Sequence, residues 1–194
     1  MLDETSSEDP VRQDLQLIVE QAARCKKIVA GLLNFARKNQ VNHQELDIRK
    51  LTEQSIAGVV FPDNVKALIV DRTSNPEAAI DSEQMTQVLT NLFKNAIDAM
   101  PDGGTLEIYL EDTVSDVIIN VSDTGTGIKE EDKGKIFEPF YTTKGLGKGT
   151  GLGLATSYGI VKMHKGQITV ETNSDPSRGP TGTKFRIILP RRPE

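Results

Sequence analysis

The chain has 194 residues, 37% of them apolar and 26% charged, with 28 acidic against 23 basic side chains and a formal net charge of −5. That length suits one good-sized core with a small helical extension, and an acidic balance with scattered Lys and Arg argues against nucleic acid as a partner. A single cysteine, Cys25, excludes an internal disulfide, and no apolar run reaches the roughly 20 residues of a membrane span, so a cytoplasmic piece is expected even if a longer parent is membrane-attached.

From Val11 to Lys38, Leu15, Ile18, Val19, Ala22, Cys25, Ile28, Val29, Leu32 and Leu33 recur at helical spacing, which predicts one long amphipathic helix. Such a stripe needs another helix beside it, in a bundle or across a dimer. A polar joint from Asn39 to Gln44 follows, so the chain divides into residues 1–40 and residues 41–194. Beyond it the pattern predicts a short strand Glu45–Ile48, a helix Arg49–Val60, a strand Lys66–Asp71 and a short strand Glu77–Ile80. Ser82 is the expected N-cap of a helix through Met100, with Met85, Val88, Leu89, Leu92, Phe93, Ala96 and Ile97 as its buried stripe. After the Pro101-Asp102-Gly103-Gly104 turn, Thr105–Asp112 and Asp116–Ser122 read as a hairpin. Tyr141 to Gly153 is rich in Gly and Thr and lacks apolar periodicity, as a mobile lid would. A helix Thr150–His164 and strands Gln167–Asn173 and Gly182–Leu189 close the chain. The fold class expected is α+β, a two-layer sandwich of helices on a mixed, mainly antiparallel sheet, preceded by one long helix.

Asn91 and Asn95 are four apart and project from one side of their helix, where the apolar stripe gives way to polarity. An amide oxygen suits Mg²⁺, which keeps several waters and bridges phosphate oxygens, so Asn95 is the expected metal ligand. Asp123 enters the Gly125 to Gly127 turn, where a carboxylate can accept a hydrogen bond from an exocyclic amine while glycines let backbone approach a flat base. The lid runs into the last helix, so backbone N–H groups and the positive end of a helix dipole can face phosphates. The spacing of Gly147, Gly149, Gly151 and Gly153 fits neither the dinucleotide fingerprint nor the common phosphate loop.

Together these segments resemble the boxes of two-component sensor histidine kinases. Asn91 to Ala99 is similar to the N box, Asp123 to Gly127 to the G1 box, Phe137-Glu138-Pro139-Phe140 to the F box and Gly147 to Leu154 to the G2 box. Thr181-Gly182-Thr183 resembles the last glycine motif near the adenine. The resemblance implies the ATP-binding sandwich shared with gyrase, the ATP-dependent heat-shock chaperone and the mismatch-repair ATPases, with ATP and Mg²⁺ as cofactors. It implies nucleotide contacts at Asn91, Asn95, Asp98, Ala99, Asp123, Gly125, Gly127, Ile128, Thr142, Thr143 and Lys144. In the G2 box and the last strand it implies them at Gly147, Lys148, Gly149, Thr150, Gly151, Leu152, Gly153 and Thr183. Asn91, Glu138 and Lys144 are the residues it places nearest the transfer step.

The ATPase relatives carry a water-activating Glu at the position held here by Asn91, an amide that is no general base, which favours phosphoryl transfer to a protein over hydrolysis. The helix ending Leu32-Leu33-Asn34-Phe35-Ala36-Arg37 resembles the second helix of the dimerisation and phosphotransfer hairpin. The acceptor histidine belongs on the first hairpin helix, and the chain offers only His43 and His164, neither in such a setting. The resemblance therefore implies a catalytic part that phosphorylates a separate histidine-bearing hairpin, passes phosphate on to a response regulator receiver domain, and works as a homodimer in the full-length protein. An ATP-binding or dimerisation module without transfer, and a serine kinase or ATPase of the same superfamily, stay open as alternatives.

Overall fold

The computed structural model describes residues 14, 15, 17–19, 21, 22, 41–145 and 149–192. Residues 14, 15, 17–19, 21 and 22 are helical, within the predicted Val11–Lys38 helix, and the rest of that prediction lies outside the described residues. In chain order the remaining elements are β1 (Gln44–Asp47), α1 (Ile48–Ala57), β2 (Val65–Asp71), β3 (Glu77–Ile80), α2 (Ser82–Ala99), β4 (Gly104–Asp112) and β5 (Asp116–Asp123). They continue with α3 (Glu130–Lys133), α4 (Gly153–Met163), β6 (Gln167–Asn173), a 3₁₀ turn Pro176–Arg178 and β7 (Gly182–Pro190).

Five strands form a sheet in the order β2-β4-β5-β7-β6, parallel between β2 and β4 and antiparallel elsewhere, so the expected mixed, mainly antiparallel α+β sandwich is what folds. Period two sorts its side chains. Leu106, Ile108 and Leu110 of β4, Val117, Ile119 and Val121 of β5, and Phe185, Ile187 and Leu189 of β7 are all buried. Onto this layer α2 lays Met85, Val88, Leu89, Leu92, Phe93 and Ala96, each at most 3% exposed. Each large side chain so covered contributes about 1.5–3 kcal/mol relative to exposure. Ile97, expected in that stripe, lies at its margin and is partly buried.

Capping corrects three boundaries. The N-cap of α2 is Asp81, not Ser82: its backbone is extended and its Oδ1 accepts the Gln84 N–H at 3.0 Å, three residues on. Asp47 likewise caps α1 by accepting the Arg49 N–H at 2.8 Å, so Ile48 starts a helix instead of ending a strand. The last helix begins at Gly153, not Thr150, because Gly151 takes a positive φ of 66° that breaks helical geometry ahead of it.

β1 and β3 pair antiparallel as a ladder of their own, Gln44 opposite Ile80 and Asp47 opposite Glu77. Arg191, just past β7, ties this ladder to the main sheet. Its guanidinium meets the Asp112 carboxylate and the carbonyls of Glu77 and Thr113, while its own backbone bonds Ala79 and Ser115. Among the described residues no helix is long and apolar enough to cross a membrane.

Candidate functional site

Two helices and the far end of the hairpin enclose the expected site. Asn91 of α2 donates from Nδ2 to the Gly153 carbonyl at 3.1 Å and to Ser157 Oγ at 3.4 Å, so the first turn of α4 is pinned to the middle of α2. The first helical bond of α4 is Thr156 N–H to Leu152 O, which leaves the N–H groups of Gly153, Leu154 and Ala155 without intrahelical partners. At its other end His164 takes the Asp81 N–H on Nε2 at 3.0 Å and has Nδ1 2.9 Å from the Ile160 carbonyl. Both ring nitrogens are thus engaged. Burial pushes the imidazole pKa down, which keeps it neutral, and the exposed ring of His43 stands edge-on at 5.6 Å.

Asp123 ends β5 with the same parity as Val117, Ile119 and Val121, so its carboxylate faces the helices and is 8% exposed. Oδ1 accepts the N–H groups of Gly125 at 2.9 Å and Thr183 at 3.2 Å. Burial raises the carboxyl pKa above its usual range, partly countered by those two N–H donors. The loop after it is docked on both sides. Thr126 N–H bonds the Ala99 carbonyl at 3.0 Å, and a Cβ on Gly125 would stand 2.5 Å from that same oxygen. Gly127 has φ 71°, and a Cβ there would sit 2.1 Å from the Asn173 carbonyl, so only glycine fits. Ile128 N–H reaches Thr172 Oγ1 at 2.8 Å, and that hydroxyl in turn donates to Gly182 O at 2.9 Å.

The lid closes the other end. Lys144 donates from Nζ to Asn95 Oδ1 at 3.1 Å and to the Asp98 carboxylate, with its own N–H on Thr142 Oγ1 at 3.2 Å. Gly149 packs on Thr142 and Lys144, Thr150 Oγ1 accepts the Leu152 N–H at 3.4 Å, and Gly151 O accepts the Phe140 N–H at 2.9 Å. Phe140 adopts φ 69° and leaves its ring half exposed, a conformation that costs an ordinary residue about 1 kcal/mol or more. Phe137 faces inward, its ring 5.2 Å from Tyr158 and 6.5 Å from Phe185. Tyr141 donates to Asp132 of α3, and that bond pushes the phenol up to about 12.

The structure thus gathers Asn91, Asn95, Asp98, Ala99, Asp123, Gly125, Gly127, Ile128, Thr142, Lys144, Gly149 to Gly153 and Thr183 into one group linked by contacts. Glu138 and Thr143 are exposed, and their side chains take no part in the contacts that build it. Gly147 and Lys148 lie outside the described residues. Sequence reasoning missed Thr172 and Ser157. Ser157 lies four residues after Gly153 and bonds back to its carbonyl at 3.0 Å, a spacing visible in the sequence, whereas Thr172 earns its role only by facing Thr183 across β6 and β7. For a divalent ion the residues fit: Asn95 Oδ1 already faces a cation, the Lys144 ammonium. Among the described residues no group of three or more His, Cys, Asp or Glu is placed to hold a metal ion.

The family described as histidine kinase-, DNA gyrase B-, and HSP90-like ATPase matches residues 80–193. Sporulation kinase A of Bacillus subtilis (strain 168) is 35% identical over 181 residues, covering 91% of this chain and 28% of that protein. A solved catalytic domain of histidine kinase ThkA has a TM-score of 0.66 at 31% identity, over 78% of this chain and 97% of that one. A structure of ThkA in complex with the response regulator protein TrrA reaches 0.74 at 25% identity, over 97% of this chain and 54% of that one. The chain therefore spans well under half the length of the curated relative it matches.

Proposed function

Because the chain belongs to the histidine kinase-, DNA gyrase B- and HSP90-like ATPase family, we propose that its cleft binds ATP with Mg²⁺ and transfers the γ-phosphoryl group to a histidine nitrogen on a separate helical hairpin. The observation that carries transfer over hydrolysis is Asn91. Its amide nitrogen is committed to Gly153 O and Ser157 Oγ, and an amide is no general base, so the position beside the phosphate site holds nothing that would activate water.

The adenine amine bonds Asp123 Oδ2, while the docked Gly125 to Gly127 loop supplies a close backbone wall. The phosphates lie toward the free N–H groups of α4, where the helix dipole favours negative charge. Asn95 Oδ1 would hold Mg²⁺, which when bound neutralises developing charge on the β- and γ-phosphates. The chain's own share is orientation: α2 and α4, pinned together by Asn91, present the γ-phosphate in line with an incoming imidazole.

The acceptor lies elsewhere because neither histidine suits the role. His164 has both nitrogens bonded inside the fold, and His43 sits beside it in the joint before β1. Residues 1–40 are assigned to the second helix of a dimerisation hairpin. Leu17, Ile18 and Val19 are helical and each more than half exposed, as a helix awaiting a partner requires. A receiver domain as the next phosphate acceptor follows the ThkA complex, and ATP as substrate puts the reaction in the cytoplasm.

The test is incubation with γ-labelled ATP and Mg²⁺, alone and with a histidine-bearing hairpin fragment from a kinase of this type. Acid-labile label on the fragment alone is the expected result. Label on this chain would overturn the assignment of the acceptor. Replacing Asn95 with Ala should weaken Mg·ATP binding by about tenfold or more, and an unchanged affinity would remove Asn95 as the metal ligand.

A further inference from the structure

The lid lysine stands where the metal belongs. Lys144 Nζ lies 3.1 Å from Asn95 Oδ1, the oxygen assigned to Mg²⁺, and is ion-paired to Asp98 one turn along the same face of α2. The placement is supported from below: Thr142 Oγ1 holds the Lys144 backbone N–H, and Gly149 packs so closely that a Cβ on it would be 3.3 Å from Lys144 Cβ. A compact ammonium on a flexible stem is well suited to this, since it can leave one oxygen for another without losing its charge.

We propose that Lys144 is a built-in counter-ion that occupies the cation position on Asn95 and Asp98 when no divalent ion is present and yields it when one arrives. This rests on the nucleotide reading of the cleft. An ammonium and a Mg²⁺ cannot share one amide oxygen: the metal binds at about 2.1 Å and carries its own waters into the space that Nζ fills. Entry of the metal therefore expels Lys144 and breaks its contacts with α2, so the position of Lys144 is coupled to the divalent ion and not to the nucleotide alone. Without the metal, Lys144 remains as a single positive charge that can face a phosphate oxygen. The device makes nucleotide binding less dependent on Mg²⁺ than a site with Asn95 alone.

The experiment measures the affinity of the whole chain for a fluorescent adenosine diphosphate analogue, once with Mg²⁺ and once with a chelator. The readout is the ratio of the two dissociation constants. In the unaltered chain the chelator should weaken binding by no more than roughly tenfold. Lys144→Met should raise that ratio by at least about tenfold, because the metal-free arm loses its cation while the metal-loaded arm loses a competitor. Lys144→Arg, which keeps a charge, should restore most of the original ratio. Matching melting midpoints of all three chains would establish that the lid substitution leaves the fold alone, as expected for a side chain about one-third exposed.

A ratio unchanged in Lys144→Met overturns the proposal and makes the lysine an ordinary phosphate contact beside the metal. Loss of all binding on chelation in the unaltered chain overturns it too. Failure to bind with Mg²⁺ present is a separate outcome that overturns the nucleotide reading itself and the proposal with it.

Discussion

At the Asp123 end of the cleft, the floor is held by backbone N–H donors that join elements far apart in the chain: Thr183 to Asp123, which is buried, Ile128 to Thr172, which is part-buried, and Thr126 to Ala99. At the Lys144 end, the contacts that join lid to α2 run through side chains a third to a half exposed. The first end is formed before any ligand arrives; the second is a set of replaceable contacts that a charged ligand can exchange for its own. On the proposed reading, recognition of the base rests on the folded sheet, and handling of the phosphates rests on contacts that water can compete for.

The most severe way to break that contrast is Gly127→Ala. A methyl group 2.1 Å from the Asn173 carbonyl at positive φ must displace backbone, at a cost of about 3 kcal/mol. Adenosine binding should disappear and the melting midpoint should fall by several degrees; a protein that melts normally and binds adenosine would show that the floor is adaptable after all. Arg191→Ala attacks the scaffold at the far end of the same strands, where Asp116 faces Pro190. The midpoint should drop by roughly 5 °C while nucleotide affinity is unchanged, since Asp123 and Thr183 lie seven residues further along β5 and β7.

Asp123→Asn separates shape from chemistry. An amide oxygen can still accept from Gly125 and Thr183, so melting should change little, but the charged acceptor for the adenine amine is lost and affinity should fall roughly 30- to 100-fold. The same carboxyl predicts a pH effect. Its folded pKa is raised by burial, so the folded state takes up this proton more readily than the unfolded chain; its contribution favours folding in acid and is lost as pH rises through the raised value. Adenine affinity runs the other way, declining as pH falls through that value, and titrations above the usual carboxylate range should show it in the native chain but not in Asp123→Asn. The mildest change is Asn91→Ala. It frees α4 from α2 at an expense of about 1 kcal/mol, so ATP binding should weaken severalfold while binding of adenosine, which has no phosphates, stays as it was. Equal losses for both ligands would erase the distinction between the two ends.

Much of this was readable in advance because it depends on short-range periodicity. The stripe of α2 places Asn91 and Asn95 on one face, and the β4–β5 hairpin follows from the three-residue break Thr113 to Ser115, both without knowledge of the rest. The helix starts were misplaced where two residues compete for one role: Asp81 and Ser82 are both good caps, and which one takes an extended backbone depends on the strand before it. The lid helix was started three residues early for a related reason, since Gly151 looks the same in sequence whether it opens a helix or turns the chain ahead of one.

By itself the sequence determined the layer architecture, the placing of Asn91 and Asn95 on one helix face, and the expectation that amide, carboxylate and glycine residues converge on one site. These follow from local backbone periods and from residue types whose chemistry is the same in any fold. The tertiary structure alone decided that β1 pairs with β3, that Thr172 rather than a predicted residue anchors the Gly127 loop, and that Lys144 comes to rest on Asn95 and Asp98. Each of those joins segments more than 25 residues apart, and such contacts are selected by how the whole core packs, to which no local pattern refers.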